Sequence, residues 1–339
     1  MTDSGILNIF LCKYFVWIPV VCEVGFIMVL HQESDKLLVN KFKLGSVSNL
    51  FMSERFFKFY SSENDIFLEL ITSKSSGVCC YFNKDLNNGW SSPLRGTYSG
   101  PVIVGKVSDR DFANALIIFE EFLLDFGARE IQYLLPPSYL SSESTTLTHY
   151  LLQSIGYDNF RTDLNHHIEV DAQPFVKKLS TSKRKDVNKK QVSEASTCIL
   201  DQKELGRVYN LLENNRRALG TTLSLSESEL FSLYSNFKDV VFLVGTYFES
   251  ELVSAAFCIK TAPNTVYVFY WGHQPNCRLA HPILPLAKFI YEKCQLENIK
   301  YMDLGTSTIG DKPNWNLMFF KKSLGAKKSL KCRFKKVWK

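Results

Sequence analysis

Apolar positions along this chain recur with two periods, and the switches between them mark its elements. Ile66–Ile71 and Gly77–Phe82 are apolar, β-rich runs split by a short polar turn, and they predict a hairpin. A turn-rich stretch follows over residues 87–101. From Asp109 to Phe126 the period lengthens: Phe112, Leu116, Phe119 and Leu123 fall on one helical face, and Gly127 stands where a helix C-cap belongs. Ile131–Leu135 reads as a strand stopped by Pro136-Pro137, Ser144–Ser154 as a helix closing on Gly156, and Asp163–Val170 as a strand. The order is ββ-α-β-α-β.

Residues 173–195 read as a connection. Beyond it, Glu204–Leu219 is an amphipathic helix, and Ser226-x-x-Glu229 is a capping box for a short helix ending near Phe237. Val240–Tyr247, Leu252–Lys260 and Thr265–Trp271 are three strands with hairpin-length linkers. Pro282–Gln295 predicts a helix, Tyr301–Leu304 a strand, Leu317–Leu324 a short helix and Lys327–Trp338 a closing strand. The second half reads αα-βββ-α-β-α-β and ends as the first half does. Two stretches match at an offset of 169 residues: 129–135 against 298–304, and Ser154-Ile155-Gly156-Tyr157 against Ser323-Leu324-Gly325-Ala326. That spacing predicts two copies of one α/β unit with a groove between them.

Composition sharpens this picture in three places. With 339 residues, 45% of them hydrophobic and 22% charged, the chain is long enough for two ordinary folded domains. The boundaries expected are 1–30 for an N-terminal apolar segment, 31–172 for the first domain and 173–339 for the second. The net charge of +6 is local: residues 321–339 carry nine Lys/Arg and no acid, so the rest of the chain has 31 basic against 34 acidic residues. Such a segment suits an anionic ligand, but a nearly neutral remainder without a recognition motif argues against a DNA reader. Nine cysteines, an odd number without a CxxC pair, read as reduced thiols in a cytosolic protein. Ile6–Leu30 is strongly apolar yet holds Lys13 and Glu23. A packed element, a weak anchor and an extension ahead of a start at Met28 all remain open for it, and residues 1–28 are expected to be dispensable for the fold.

Three stretches carry a family resemblance. Ser92-Pro93-Leu94-Arg95-Gly96-Thr97-Tyr98-Ser99-Gly100, Leu179-Ser180-Thr181-Ser182-Lys183-Arg184-Lys185-Asp186, and Tyr301-Met302-Asp303-Leu304-Gly305 with Asn316 and Phe320-Lys321-Lys322-Ser323-Leu324-Gly325-Ala326 resemble conserved segments of the FemAB-like acyltransferases. These have two GNAT (Gcn5-related N-acetyltransferase) domains in tandem, and the element order read above is the GNAT order. The resemblance implies an α/β (α+β) fold of two tandem GNAT-like domains, with mixed, mostly antiparallel sheets flanked by helices. It implies an N-acyltransferase acting on an amine, on an amino sugar or a cell-envelope or polysaccharide precursor that is free, nucleotide-linked or lipid-linked. No tightly bound cofactor is expected. The donor would be acyl-CoA, an acyl carrier protein or aminoacyl-tRNA, and the protein would be cytoplasmic, with contact at the inner face of the membrane left open. The chain lacks the helical-hairpin insertion of the aminoacyl-transferring members. It also lacks the Arg-x-x-Gly-x-Gly/Ala loop of simple GNAT enzymes, having Gly272-His273-Gln274-Pro275-Asn276-Cys277-Arg278 after Trp271. A binding protein of the same fold, docking on an anionic partner, is the alternative.

Acyl transfer to an amine needs a positioned amine and carbonyl and a group that meets the developing oxyanion. Lys321 is the candidate for that group; Asp303, at a strand end before Gly305, is the candidate base or amine-orienting group. Asn316 could bind a substrate carbonyl or cap the short helix. Lys183 and Arg184 could meet diphosphate oxygens or belong to a solvated linker. Arg95 and Tyr98 lie where glycines let a ligand approach, and Trp271 could stack on a sugar or base. His166-His167 lacks ligand partners at metal spacing, so no metal is expected. His273 is a second candidate base.

Overall fold

A computed structural model of the chain describes residues 20–21, 27–32 and 48–338, except 63, 74–75, 94–95 and 141–142. In chain order the elements are β1 (Val20–Val21), β2 (Ile27–Gln32), α1 (Glu54–Tyr60), β3 (Ile66–Ser73), β4 (Ser76–Lys84), β5 (Gly89–Ser92), β6 (Val102–Val104), α2 (Asp109–Asp125), β7 (Glu130–Leu134), α3 (Glu143–Ser154) and β8 (Asp158–Glu169). Then come α4 (Phe175–Lys178), α5 (Thr181–Val187), α6 (Lys190–Glu194), β9 (Ser196–Leu200), α7 (Leu205–Ala218), α8 (Glu227–Asn236), β10 (Val241–Phe248), β11 (Glu251–Ala262), β12 (Thr265–His273), α9 (Ile283–Leu296), β13 (Tyr301–Thr306), β14 (Thr308–Ile309), β15 (Lys312–Pro313), α10 (Trp315–Ser323) and β16 (Lys327–Val337).

The expected hairpin, helices and three-strand meander are all present. The connection over 173–195 is not a bare linker: it folds into α4, α5 and α6 and leads into β9, which pairs antiparallel with β10. The turn-rich stretch contains β5, and its last residues lead into β6. The expectation for residues 1–28 falls largely outside the described residues; β2 pairs with β3 from Ile27↔Ile71 to Gln32↔Ile66.

The two halves share one continuous sheet, in the order β1-β2-β3-β4-β5-β7-β16-β8-β13-β12-β11-β10-β9. Each half contributes one parallel pair, β5 with β7 and β12 with β13, as the repeat requires. The last strands are exchanged. β16, from the end of the second half, pairs with β7 of the first, whereas β8 of the first half pairs with β13 of the second. β8 and β16 also pair with each other. The exchange merges two sheets into one and carries first-half side chains into the second half.

One sheet face is covered by α2 and α3 in the first half, where Phe112, Leu116, Phe119, Ile131, Tyr133 and Phe334 pack together, and by α9 in the second. On the opposite face of β10–β12, α1, α7 and α8 bury Phe56, Leu211, Leu230 and Phe257. Buried apolar area of this extent is the main stabilising term.

Helix ends show where the repeat holds. Gly156 and Gly325 both have left-handed φ, at 91° and 88°. Tyr157 N donates to Leu152 O and Ala326 N to Lys321 O, each five residues back, so the two caps are one motif 169 residues apart. At the preceding helix, Ala128 N donates to Leu123 O and Ile299 N to Cys294 O, which sets Gly127 against Asn298 at an offset of 171. The strands match with that two-residue shift: Ile131 and Tyr133 correspond to Met302 and Leu304, all buried.

Candidate functional site

The parallel strands β12 and β13 pair at only three positions, ending at Tyr267↔Asp303, and do not pair beyond them. At that point β13 bulges against β8, where the register shifts between Asp303 and Gly305. Gly305 has φ +74°, and a Cβ there would stand 3.2 Å from the Tyr267 hydroxyl, so both the conformation and the space call for glycine.

Lys321 and Asp303 meet at this glycine from its two sides. Asp303 Oδ1 accepts from Gly305 N at 2.7 Å and from Asn165 Nδ2 at 3.0 Å, and Oδ2 accepts from the Tyr139 hydroxyl at 2.7 Å. Lys321 Nζ donates to Gly305 O at 2.9 Å and Thr306 O at 2.8 Å. Both side chains are buried, at 3% and 2% exposure. Burial pushes the Lys321 ammonium down to about 7; Asp303 pulls the other way, and Arg216 adds to the depression. Arg216, half-buried on α7, donates to Trp271 O at 3.4 Å. His166 Nδ1 lies 3.1 Å from Ser307 Oγ. Desolvation, with Lys321 and Lys328, pushes its imidazole down to about 4. His166 is therefore neutral at pH 7.

The other expected residues are dispersed. Asn316 is exposed on α10, and the helix cap is Asn314, whose side chain accepts from Leu317 N. Arg184 is exposed and donates to Leu179 O at 2.9 Å and Lys177 O at 3.1 Å, which ties it to its own segment. Lys183 pairs with Asp186 at 3.2 Å and lies 3.3 Å from His281 Nδ1. Tyr98 is buried and accepts from Asn49 Nδ2 at 2.9 Å. Trp271 is buried against Phe320. Arg95 lies outside the described residues. His273 Nδ1 stands 3.0 Å from Gln274 O. Among the described residues, no group of three or more His, Cys, Asp or Glu side chains is placed to hold a metal.

A cleft of about 600 Å³ opens between the halves. Ser99 and Gly100 line it; Asp303 and Lys321 do not. Tyr139 does, together with Tyr301, so Asp303 sits one hydrogen bond behind the cleft wall. Tyr139 stacks on His167, with ring centroids 4.0 Å apart. Tyr139, Asn165, His167 and Arg216 were missed from sequence. Tyr139 alone had a cue, its place just after the Pro136-Pro137 stop of β7.

Two half-sheets, each with one parallel strand pair and a closing helix-strand unit, give the tandem GNAT-like fold and the helix-flanked mixed sheet expected from sequence. Among solved structures, the chain is similar to FemX, with a TM-score of 0.65 at 11% identity over 87% of this chain and 94% of that one. It is also similar to L-PGS from Bacillus licheniformis (TM-score 0.50, 10% identity, 80% of this chain and 84% of that one). A third likeness is to a protein of unknown function from Bacteroides thetaiotaomicron (TM-score 0.50, 9% identity, 84% and 91%). No family model and no curated protein matches the sequence.

Proposed function

We propose that this chain is an N-acyltransferase that moves an acetyl or aminoacyl group from a thioester or ester donor onto an amine. The acceptor is an amino sugar or another cell-envelope or polysaccharide precursor. The observation that carries this reading is the pair of buried, oppositely charged groups, Lys321 and Asp303, fixed on one bulged glycine where two parallel strands stop pairing. A lysine buried to this degree is costly unless its chemistry is used.

In the reaction the amine nitrogen attacks the acyl carbonyl, a C–N bond forms, and the carbonyl oxygen becomes an oxyanion. Collapse breaks the bond to the donor sulfur or oxygen, which leaves as the thiol or alcohol carrying the proton that the attacking amine gives up. Lys321 keeps one N–H beyond the two given to backbone carbonyls; with the donor carbonyl placed where β12 and β13 stop pairing rather than in the cleft, its charged form stabilises the oxyanion. Asp303, held by three donors, orients the amine through Tyr139 and Asn165 rather than moving freely as a base.

A binding role on a polyanion has less support. Within the basic segment 321–339, Lys321 and Lys331 are buried, and Lys327, Arg333, Lys335 and Lys336 are paired with Glu169, Asp163, Glu130 and Glu120. Among the described residues no helix is long and apolar enough to cross a membrane.

The test is to supply isotope-labelled acetyl-CoA, acyl carrier protein and aminoacyl-tRNA with a panel of amino-sugar nucleotides, and to read amide-linked product by mass spectrometry. One donor should give product that is lost in Lys321→Met. No product from any of the three, with the protein folded, contradicts the reading.

A further inference from the structure

On the face of the sheet that carries Asp303, a second group of polar side chains lacks partners. Lys331, at 4% exposure, has no hydrogen-bond acceptor and no ion-pair partner for its Nζ among the described residues. Two residues earlier on the same face of β16, Ser329 Oγ is buried and unpartnered, and so is His167 Nδ1 on β8. Ser329 stands opposite Asn165 and Lys331 opposite Asp163. Asn165 donates to Asp303. Two strand spacings across the sheet and four residues along β8 separate Lys331 from Asp303, roughly 16 Å between their backbones.

The carboxylates nearby are already committed. Asp163 accepts from Arg161 at 3.0 Å through Oδ1 and from Arg333 at 3.2 Å through Oδ2. Asp303 is held by Tyr139, Asn165 and Gly305. Asp163 therefore already serves Arg161 and Arg333, and the further carboxylate near Arg161, the exposed Asp311, lies 4.0 Å from it. Buried polar groups are nearly always satisfied, so the two orphans Ser329 Oγ and His167 Nδ1, with Lys331 on the same sheet face, mark a place for a missing partner. All three can donate, and the surrounding charge is positive; an anion satisfies both conditions.

We propose that Lys331, Ser329 and His167 bind an anionic group of the acceptor, a carboxylate or a phosphate, carried at a distance from the amine that is acylated. Arg161 and Arg333, each about a quarter exposed at the side chain, form the rim through which that group enters. Burial pushes the Lys331 ammonium down to about 8, and a bound anion would raise it again. The inference rests on the acyltransferase reading only for what the anion is attached to. Neither the strand exchange nor the cores need Lys331 to be charged, and the binding site assigned here is separate from Lys321.

The experiment titrates the full chain with inorganic phosphate and, separately, with acetate at constant ionic strength, following heat of binding. Wild type should bind one of the two saturably, and the better probe identifies the class of anion. Lys331→Met should weaken that binding roughly tenfold or more, the scale of one hydrogen bond to a charged group. Ser329→Ala, a change small enough to leave folding intact, should weaken it several-fold, and Lys312→Met, an exposed lysine on the β14–β15 hairpin, should leave it unchanged. Wild-type heats that never saturate, or equal binding by Lys331→Met and Ser329→Ala, would overturn the assignment. Because the titration needs no donor, a chain that acylates amines but binds neither probe loses this inference alone. A chain that binds a probe through Lys331 but acylates nothing loses the acyltransferase reading and keeps the anion site.

Discussion

The two halves of the molecule are built on one plan and differ where it matters. Aligned on their shared helix caps, Leu152 of the first half occupies the place of Lys321 in the second, and both are buried. Aligned on the preceding caps, Gln132 occupies the place of Asp303. In the first half β5 and β7 stay paired to the last residue of β5, and β7 runs regularly along β16. In the second half β12 and β13 stop pairing at Asp303, and β13 bulges. The same scaffold is thus a closed apolar core on one side and a polar, opened strand pair on the other. The first half still contributes to that opening, because the exchanged strand β8 brings Asn165 and His167 to it and the segment after β7 brings Tyr139.

The comparison breaks most sharply if its polar position is moved. Leu152→Lys puts an ammonium into an apolar core with no bulge to receive it, and should cost at least about 3 kcal/mol of unfolding free energy in denaturant titration. A loss under about 1 kcal/mol would mean that the first half tolerates the charge as the second does. The second half should instead show a pH signature. Lys321 sits near 7 when folded and at the ordinary 10.5 when unfolded. Between those values the unfolded chain binds the extra proton, so stability should rise with pH, by up to about 1.4 kcal/mol per pH unit from this group. Subtracting Lys321→Met at each pH isolates that slope from the similar one expected of Lys331; a flat difference contradicts the burial account.

Tyr139→Phe removes the one donor that the first half's loop gives to Asp303, and should lower turnover by about tenfold while leaving the melting transition cooperative. The smallest effect is expected at Arg184. Its bond to Lys177 O is exposed and that to Leu179 O only part-buried, so Arg184→Ala should cost about 1 kcal/mol or less in a urea melt. Weakened acceptor binding in the same variant would restore the ligand role that the sequence suggested for it.

Periodicity made most elements legible, because each depends on local spacing of apolar residues. The repeat was legible as well, although matching it by residue identity hid the two-residue shift that the caps reveal. Strand exchange was not legible: it is a choice between nonlocal partners, and either pairing buries the same alternating faces of β8 and β16. The site divides along the same line. Lys321 and Asp303 stood out from their places at the ends of elements. Tyr139 and Asn165 reach the site only through tertiary neighbours, and the burial of Lys331 was hidden within a run of basic residues that reads as solvated tail. Asn316 and Arg184 have suitable chemistry, but Asn316 is exposed and Arg184 is turned onto the carbonyls of its own segment, so neither is brought to Lys321 and Asp303.

The central claim is that catalysis resides in the second half and uses Lys321 as a cation. Turnover with saturating donor and acceptor, measured from pH 6 to 9 for wild type and Lys321→Met, tests it most directly. Wild type should rise as the acceptor amine deprotonates and then fall as pH passes about 7 and Lys321 loses its charge. Lys321→Met should run roughly tenfold to a thousandfold lower and lack the falling limb. Full turnover in Lys321→Met, or a wild-type profile that only rises through that range, would contradict the account.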